Sequence, residues 1–411
     1  MKFALSINRG TPTIVTGNSK EELVAQQKLL HPDLDPEKIA VKKLITLANG
    51  TPMIVPNYIS NSAFQKFYKD PEDYCINYCL FNPPSRFAQT VPMMYGSAFD
   101  GFIKNWLYKR LYPEMHPDFD MPKIIHDQCE RQFWDEDYKE VINGELVQYN
   151  PELDAFKWGQ HLMDQYQKSG TLTDLLYILK NAAELPRFEF TVTSSFKEHV
   201  LGDQENPDFV LLGKPDLYFE NKDGVHIILD FKCNSIGTAK KTSPKKGYVM
   251  LRDGWETGQK HSPRHNKAHK DASIIKEGGI DCNFADRFED IERSWADQTT
   301  CYSWLMGTPV GDTVVAGIHQ LIGQGFEGDN IPNISVAQHH YSVQPDYQRD
   351  LYAKYKFMWE RLNDGHIFHN LSRAESDHKV ASLHALHGTK HEEGSNEEWL
   401  ANKLRKQTYF G

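Results

Sequence analysis

Short apolar runs broken by polar ones open the chain. Residues 2–7, 13–16 and 53–55 carry β-branched and aromatic side chains in stretches of strand length. Residues 19–30 and 36–45 read as helices, the first opened by Ser19 with Glu21 and Glu22 in its first turn. Residues 1–56 therefore predict a small α/β appendage. Further along, Gly96, Asp100, Ile103 and Leu107 recur at helical spacing behind Pro92, a favoured first residue of a helix. Phe284, Phe288, Ile291, Trp295, Tyr302 and Leu305 form a second helical stripe, and Gln298 falls on it. Residues 108–185 read as mostly helical and aromatic-rich. In residues 187–193, Phe188, Phe190 and Val192 alternate with Glu189, Thr191 and Thr193, a strand pattern. Residues 314–322 predict a strand, and 346–362 a helix carrying Tyr352, Tyr355, Phe357 and Trp359.

The most informative alternation lies between Gly213 and Lys232. Gly213-Lys214-Pro215-Asp216-Leu217-Tyr218-Phe219 and Val225-His226-Ile227-Ile228-Leu229-Asp230-Phe231-Lys232 flank an Asp-Gly turn signal, so the segment predicts strand, turn, strand. Side chains alternate along a strand, which puts Asp230 and Lys232 on one face and turns Leu229 and Phe231 into the core. A hairpin that brings Asp216 alongside gathers two carboxylates and an ammonium at one spot.

Those residue types suit a hard divalent cation and an activated water. Mg²⁺ prefers oxygen ligands, keeps several waters and needs one or two carboxylates beside substrate phosphate. Bound metal lowers the pKa of its water, and a neighbouring lysine orients that water or stabilises developing charge. A surface hairpin carrying a salt bridge is the competing reading of Asp-x-Lys alone. A packing hydrogen bond competes likewise at Gln298, and a salt bridge to a core Lys or Arg at Asp100.

Pro215-Asp216 followed by Asp230-Phe231-Lys232 resembles the signature of the PD-(D/E)XK nucleases, in the branch of the RecB nuclease domain and the RecE-type phage exonucleases. Flanking motifs follow in the order of that family. Ile59-Ser60-Asn61-Ser62-Ala63-Phe64-Gln65-Lys66-Phe67 resembles its Ser-containing opening. Pro92 to Ile103 resembles its Gly-x-x-x-His helix, with Asp100 where His is usual. Gln298-Thr299-Thr300-Cys301-Tyr302 matches its Gln-x-x-x-Tyr motif. The resemblance implies an α/β fold with a PD-(D/E)XK core, a central mixed sheet flanked by helices. It implies Mg²⁺ or Mn²⁺ held by Asp216 and Asp230, helped by the Phe231 carbonyl, Asp100 and Glu189. Lys232 would position the attacking water, and Gln298 and Tyr302 would support the site or the DNA strand. Relatives with an iron–sulfur cluster use three cysteines near the C-terminus. None follows Cys301 here, so neither a cluster nor a nucleotide cofactor is expected.

Global numbers narrow the partners. The formal net charge of the 411 residues is −10, so nucleic-acid contact must come from a local patch. Between Thr238 and Lys270, nine Lys and Arg face two acidic residues, Asp253 and Glu256. Lys240, Lys241, Lys245, Lys246, Arg252, Lys260 and Arg264 are the expected DNA contacts of this insertion, which reads as a mobile flap after the Asp230 strand. Tyr248 and Trp255 in the same insertion are candidates for stacking on bases. His261, His265 and His269 recur every fourth residue and suit phosphate contact or exposure better than metal. His378, His384, His387 and His391 fall in residues 371–411, which read as a polar, solvated tail.

The expected organisation is therefore residues 1–56 as appendage, 57–370 as nuclease domain with its basic insertion at about 238–270, and 371–411 as tail. Six scattered cysteines, a non-signal N-terminus and no apolar run long enough for a bilayer point to an intracellular protein without disulfides. If the chain is phage-encoded, that means host cytoplasm. DNA is the expected partner, with a helicase or annealing protein beside it. The expected activity is exonucleolytic processing of DNA ends in recombination or repair. A structure- or sequence-specific endonuclease, or a catalytically silent DNA-binding protein on the same fold, are the alternatives.

Overall fold

The structure is a computed structural model. It describes residues 1–7, 12–84, 91–112, 139–142, 145–148, 151–188, 190–197, 200–201, 207–234, 281–282, 293–312, 314–323, 334–343, 345–388 and 399. Two compact units divide the chain: Met1–Arg86 with Thr193–Leu212 and Leu351–Gly411, and Phe87–Val192 with Gly213–Asp350. These boundaries differ from the expected 1–56, 57–370 and 371–411.

The first unit contains a four-stranded sheet in the order Thr13–Thr16, Lys2–Ile7, Ile39–Thr46, Pro52–Val55. Helix Lys20–Leu30 begins as expected, with the Ser19 hydroxyl accepting the Glu22 amide at 3.2 Å. The helix expected over residues 36–45 does not form. Pro36–Lys38 make one 3₁₀ turn, and Ile39–Thr46 pairs with strands on both sides. The physical reason is a period of two: Ile39 and Val41 are buried while Ala40 and Lys42 are exposed. A strand satisfies this alternation, and β-branched Ile39 and Val41 favour it.

The polar tail is also different from its expectation. Arg373–His387 is a helix whose Ser372 and Glu375 cap it reciprocally, and it buries Val380, Leu383 and His387. The Ser-x-x-Glu signal at its start was present in a stretch otherwise read from its histidines and small residues. Ser60, of the opening motif, likewise serves as a cap, accepting the Ala63 amide at 3.3 Å ahead of helix Asn61–Lys69.

The second unit is built on a six-stranded mixed sheet. Its order is Asp281–Cys282, Ile334–Val343, Val314–Gly323, His226–Asn234, Leu217–Glu220, Arg187–Phe188. His226–Asn234 runs antiparallel to Leu217–Glu220 and parallel to Val314–Gly323. The expected hairpin closes through Asn221, whose side-chain oxygen accepts the Asp223 and Val225 amides at 3.0 and 2.9 Å. Gly224 follows at φ 77°, a left-handed conformation that suits glycine.

Helices cover both faces of this sheet. On one face, Val91–Leu111, Pro151–Lys168 and Thr171–Lys180 pack Phe99, Ile103, Leu107, Leu162 and Tyr166 with Leu229 and Phe231. Each fully buried side chain of this kind stabilises the fold by about 1.5–3 kcal/mol. Asp230 and Lys232 alternate with Leu229 and Phe231, so they point to the opposite face and meet helix Arg293–Leu305 there. The strand and helix expected at residues 314–322 and 346–362 are present as Val314–Gly323 and Pro345–Asp364. Within residues 108–185, the described part adds a strand pair, Lys139–Ile142 with Glu145–Gln148, to the helices. Among the described residues, no helix is long and apolar enough to cross a membrane.

Candidate active site

Asp216 sits one residue before Leu217–Glu220, and the pairing of Leu217 with Leu229 sets it beside Asp230. A main-chain bond helps to fix it there: Asp216 Oδ2 accepts the amide of Phe231 at 3.1 Å. Asp230 is only 2 % exposed. Lys232, two residues on, shares its face, and its Nζ lies 2.5 Å from Asp230 Oδ2. The strand period thus delivers the acid and the ammonium together.

Gln298 completes this arrangement from the opposite element. Its Oε1 accepts from Lys232 Nζ at 2.9 Å, while its Nε2 donates to Asp230 Oδ1 at 3.0 Å and to Tyr302 Oη at 3.1 Å. The amide is oriented by charge, carbonyl toward the ammonium and NH₂ toward the carboxylate. Tyr302 follows Gln298 by one helical turn, so both reach the same spot. The partners that a half-buried amide needs are therefore inside the site.

A residue absent from the sequence reading joins them. Lys104, on helix Val91–Leu111, has a side chain only 7 % exposed. Its ammonium pairs with Asp100 on the preceding turn and lies 3.3 Å from Asp216 Oδ1. Asp100 therefore meets a lysine of its own helix. The signal available in sequence was Asp100-x-x-x-Lys104 on a face that also carries buried Ile103 and Leu107.

The charges shift one another. Burial raises the Asp216 carboxyl, but Lys104, Lys232, the Phe231 amide and a hydrogen bond with Asp230 more than offset this, leaving it below its ordinary value. Burial pushes Asp230 up; Lys232 opposes this, Asp216 adds to it, and the carboxyl settles at about 7. Burial lowers Lys232, and Asp230 and Asp216 then bring it above its ordinary value, so it stays an ammonium. Burial also raises the Tyr302 hydroxyl, reinforced by the charge of Asp230.

Two hard carboxylates, one of them almost wholly desolvated, fit a cation of the Mg²⁺ or Mn²⁺ type. Among the described residues, no group of three or more His, Cys, Asp and Glu side chains gathers to hold a metal. The remaining ligands of such an ion would thus be water, main-chain oxygen or substrate phosphate. Of the expected set, Asp216 and Asp230 converge, Phe231 takes part through its main-chain N–H rather than its carbonyl, and Asp100 is engaged by Lys104. Glu189 lies outside the described residues, as do Lys240, Lys241, Lys245, Lys246, Arg252, Lys260 and Arg264.

Close approach holds the Gln298 helix in place. A Cβ added at Gly213 would come within 2.9 Å of Tyr302 Cδ1 and would also strike Leu305 Cδ1. Gly213→Val therefore pushes Tyr302 and, through it, Gln298 out of position. Chemical denaturation of this variant is expected to show a loss of about 1–3 kcal/mol, and unchanged stability would contradict the tight packing.

No family model, curated protein or solved structure matches this chain.

Proposed function

We propose that this chain is a metal-dependent deoxyribonuclease with a PD-(D/E)XK core, hydrolysing phosphodiester bonds at DNA ends. The observation that carries the reading is the Asp216–Asp230–Lys232 group, gathered by one hairpin on a mixed sheet and clamped by Gln298. Resemblance to the RecB and RecE nucleases adds the substrate class and the setting, end-processing in recombination or repair.

Asp216 and Asp230 would hold Mg²⁺ or Mn²⁺ with help from the Phe231 carbonyl. The bound ion supplies neutralisation of the scissile phosphate and a more acidic water. Lys232 is an ammonium, so it donates hydrogen bonds and stabilises developing negative charge rather than abstracting a proton. Its position is fixed on two sides, by Asp230 at 2.5 Å and Gln298 at 2.9 Å. Tyr302 anchors Gln298 and so limits its rotation. The basic insertion around residues 238–270 would supply contacts to the DNA backbone, where Lys and Arg bind regardless of sequence.

The test is digestion of end-labelled linear DNA and of closed circular DNA with Mg²⁺, with Mn²⁺ and with EDTA. Loss of linear DNA alone, dependent on metal and absent in Asp216→Ala, is the expected result. Cutting of circles moves the assignment to an endonuclease on the same site. No cleavage with either metal leaves a DNA-binding protein on this fold and overturns the enzyme.

A further inference from the structure

The site holds a second ammonium that the proposed chemistry leaves unused. Each carboxylate of the pair has its own lysine, Lys232 against Asp230 and Lys104 against Asp216. Lys104 and Asp100 come from consecutive turns of helix Val91–Leu111, whereas Asp216 is 112 residues away in sequence. The Lys104 ammonium contacts both carboxylates at once. A cation shared by Asp100 and Asp216 would have to displace it. The displaced ammonium, on a side chain 7 % exposed, would lose its ion partners with little water to replace them.

We propose that Lys104 is a positioning residue for Asp216, and that Asp100 acts on the cation site as the counter-ion of Lys104 rather than as a ligand. The inference rests on reading the site as a metal centre, and it separates Asp100 from the metal ligands. Lys104 has two opposed effects. Its contact with Oδ1, together with the Phe231 amide on Oδ2, holds both oxygens of Asp216 in place before any ion arrives. Its positive charge also makes Asp216 a poorer magnet for a divalent ion. The site trades affinity for a fixed geometry. Asp100 restores part of the negative potential by neutralising Lys104.

Mn²⁺ binding to the full-length, EDTA-stripped protein reads this out directly, by electron paramagnetic resonance or calorimetry. Wild type is compared with Lys104→Met, Asp100→Asn and the double variant, each checked for folding by circular dichroism. Lys104→Met is expected to bind Mn²⁺ roughly tenfold tighter, because a unit positive charge beside the ion is gone. Asp100→Asn is expected to bind about tenfold weaker, since the lysine charge is then uncompensated. The double variant, which removes one charge of each sign, is expected to return close to wild type. It leaves Asp100 no uncompensated charge, so it keeps the test decisive even if Lys104→Met alone loosens the helix. Mere structural damage would weaken binding in every variant and would not produce tightening.

Wild type binding Mn²⁺ while Lys104→Met fails to tighten overturns the role of Lys104. A double variant as weak as Asp100→Asn makes Asp100 a ligand and overturns the counter-ion assignment. Wild type that binds no Mn²⁺ removes the metal reading itself, and this inference with it.

Discussion

Lys232→Met is expected to cut metal-dependent DNA cleavage by about a thousandfold while leaving DNA binding and cooperative unfolding in place. Methionine keeps most of the stem volume and removes only the ammonium. The loss reaches three groups at once: Asp230 loses its partner at 2.5 Å, Gln298 Oε1 loses its donor, and developing charge loses a fixed cation. Asp216 and Asp230 remain to hold the ion, so the defect falls on the chemical step. Single-turnover cleavage at saturating Mg²⁺, measured beside DNA affinity, separates the two. Cleavage within about tenfold of wild type would remove Lys232 from the mechanism.

Asp230→Asn is expected to abolish cleavage and yet to raise thermal stability. Burial first, with Asp216 adding, lifts this carboxyl from 3.8 to about 7 against the pull of Lys232. A carboxyl that holds its proton more tightly when folded loses stability as pH rises from about 4 through about 7. Asparagine has the shape of the protonated acid, carries no charge to desolvate and still accepts from Gln298 Nε2; the opposing cost is that its NH₂ group replaces Oδ2 beside the Lys232 ammonium. In EDTA the variant is expected to melt on the order of 2–5 °C above wild type at pH 8, with the gain fading toward pH 4. A lower melting temperature at pH 8 would show that the Lys232 pair outweighs burial. Stability spent on a functional charge is a familiar pattern in active sites.

What sequence reasoning could reach depended on the range of the interaction. Asp230 and Lys232 are two apart on a strand, and Gln298 and Tyr302 one turn apart on a helix. Local periodicity alone puts each pair on a common face. The Asn221–Val225 turn then supplies the register that sets Asp216 beside Asp230. Lys104 was missed because its relevance comes from Asp216, in a different element, and a lysine read locally is a solvated charge. Residues 36–45 failed for another reason. They carry enough helix formers to suggest a helix, and the sheet partners on both sides decide for the strand. The Arg373–His387 helix is legible at Ser372 and Glu375, whose reciprocal cap outweighs the polar composition around it.

The clamp by Gln298 has a consequence for synthesis. Gln298 meets Asp230 across 68 residues of chain, and Lys104 meets Asp216 across 112. Contacts this distant must close long loops before they return any stabilisation. A nascent chain that has just passed residue 232 owns both aspartates and the lysine, but nothing yet holds that lysine's amine from the helix side. Translation must run at least as far as Tyr302 before the clamp exists, so the charged cluster matures well after its own hairpin has been made.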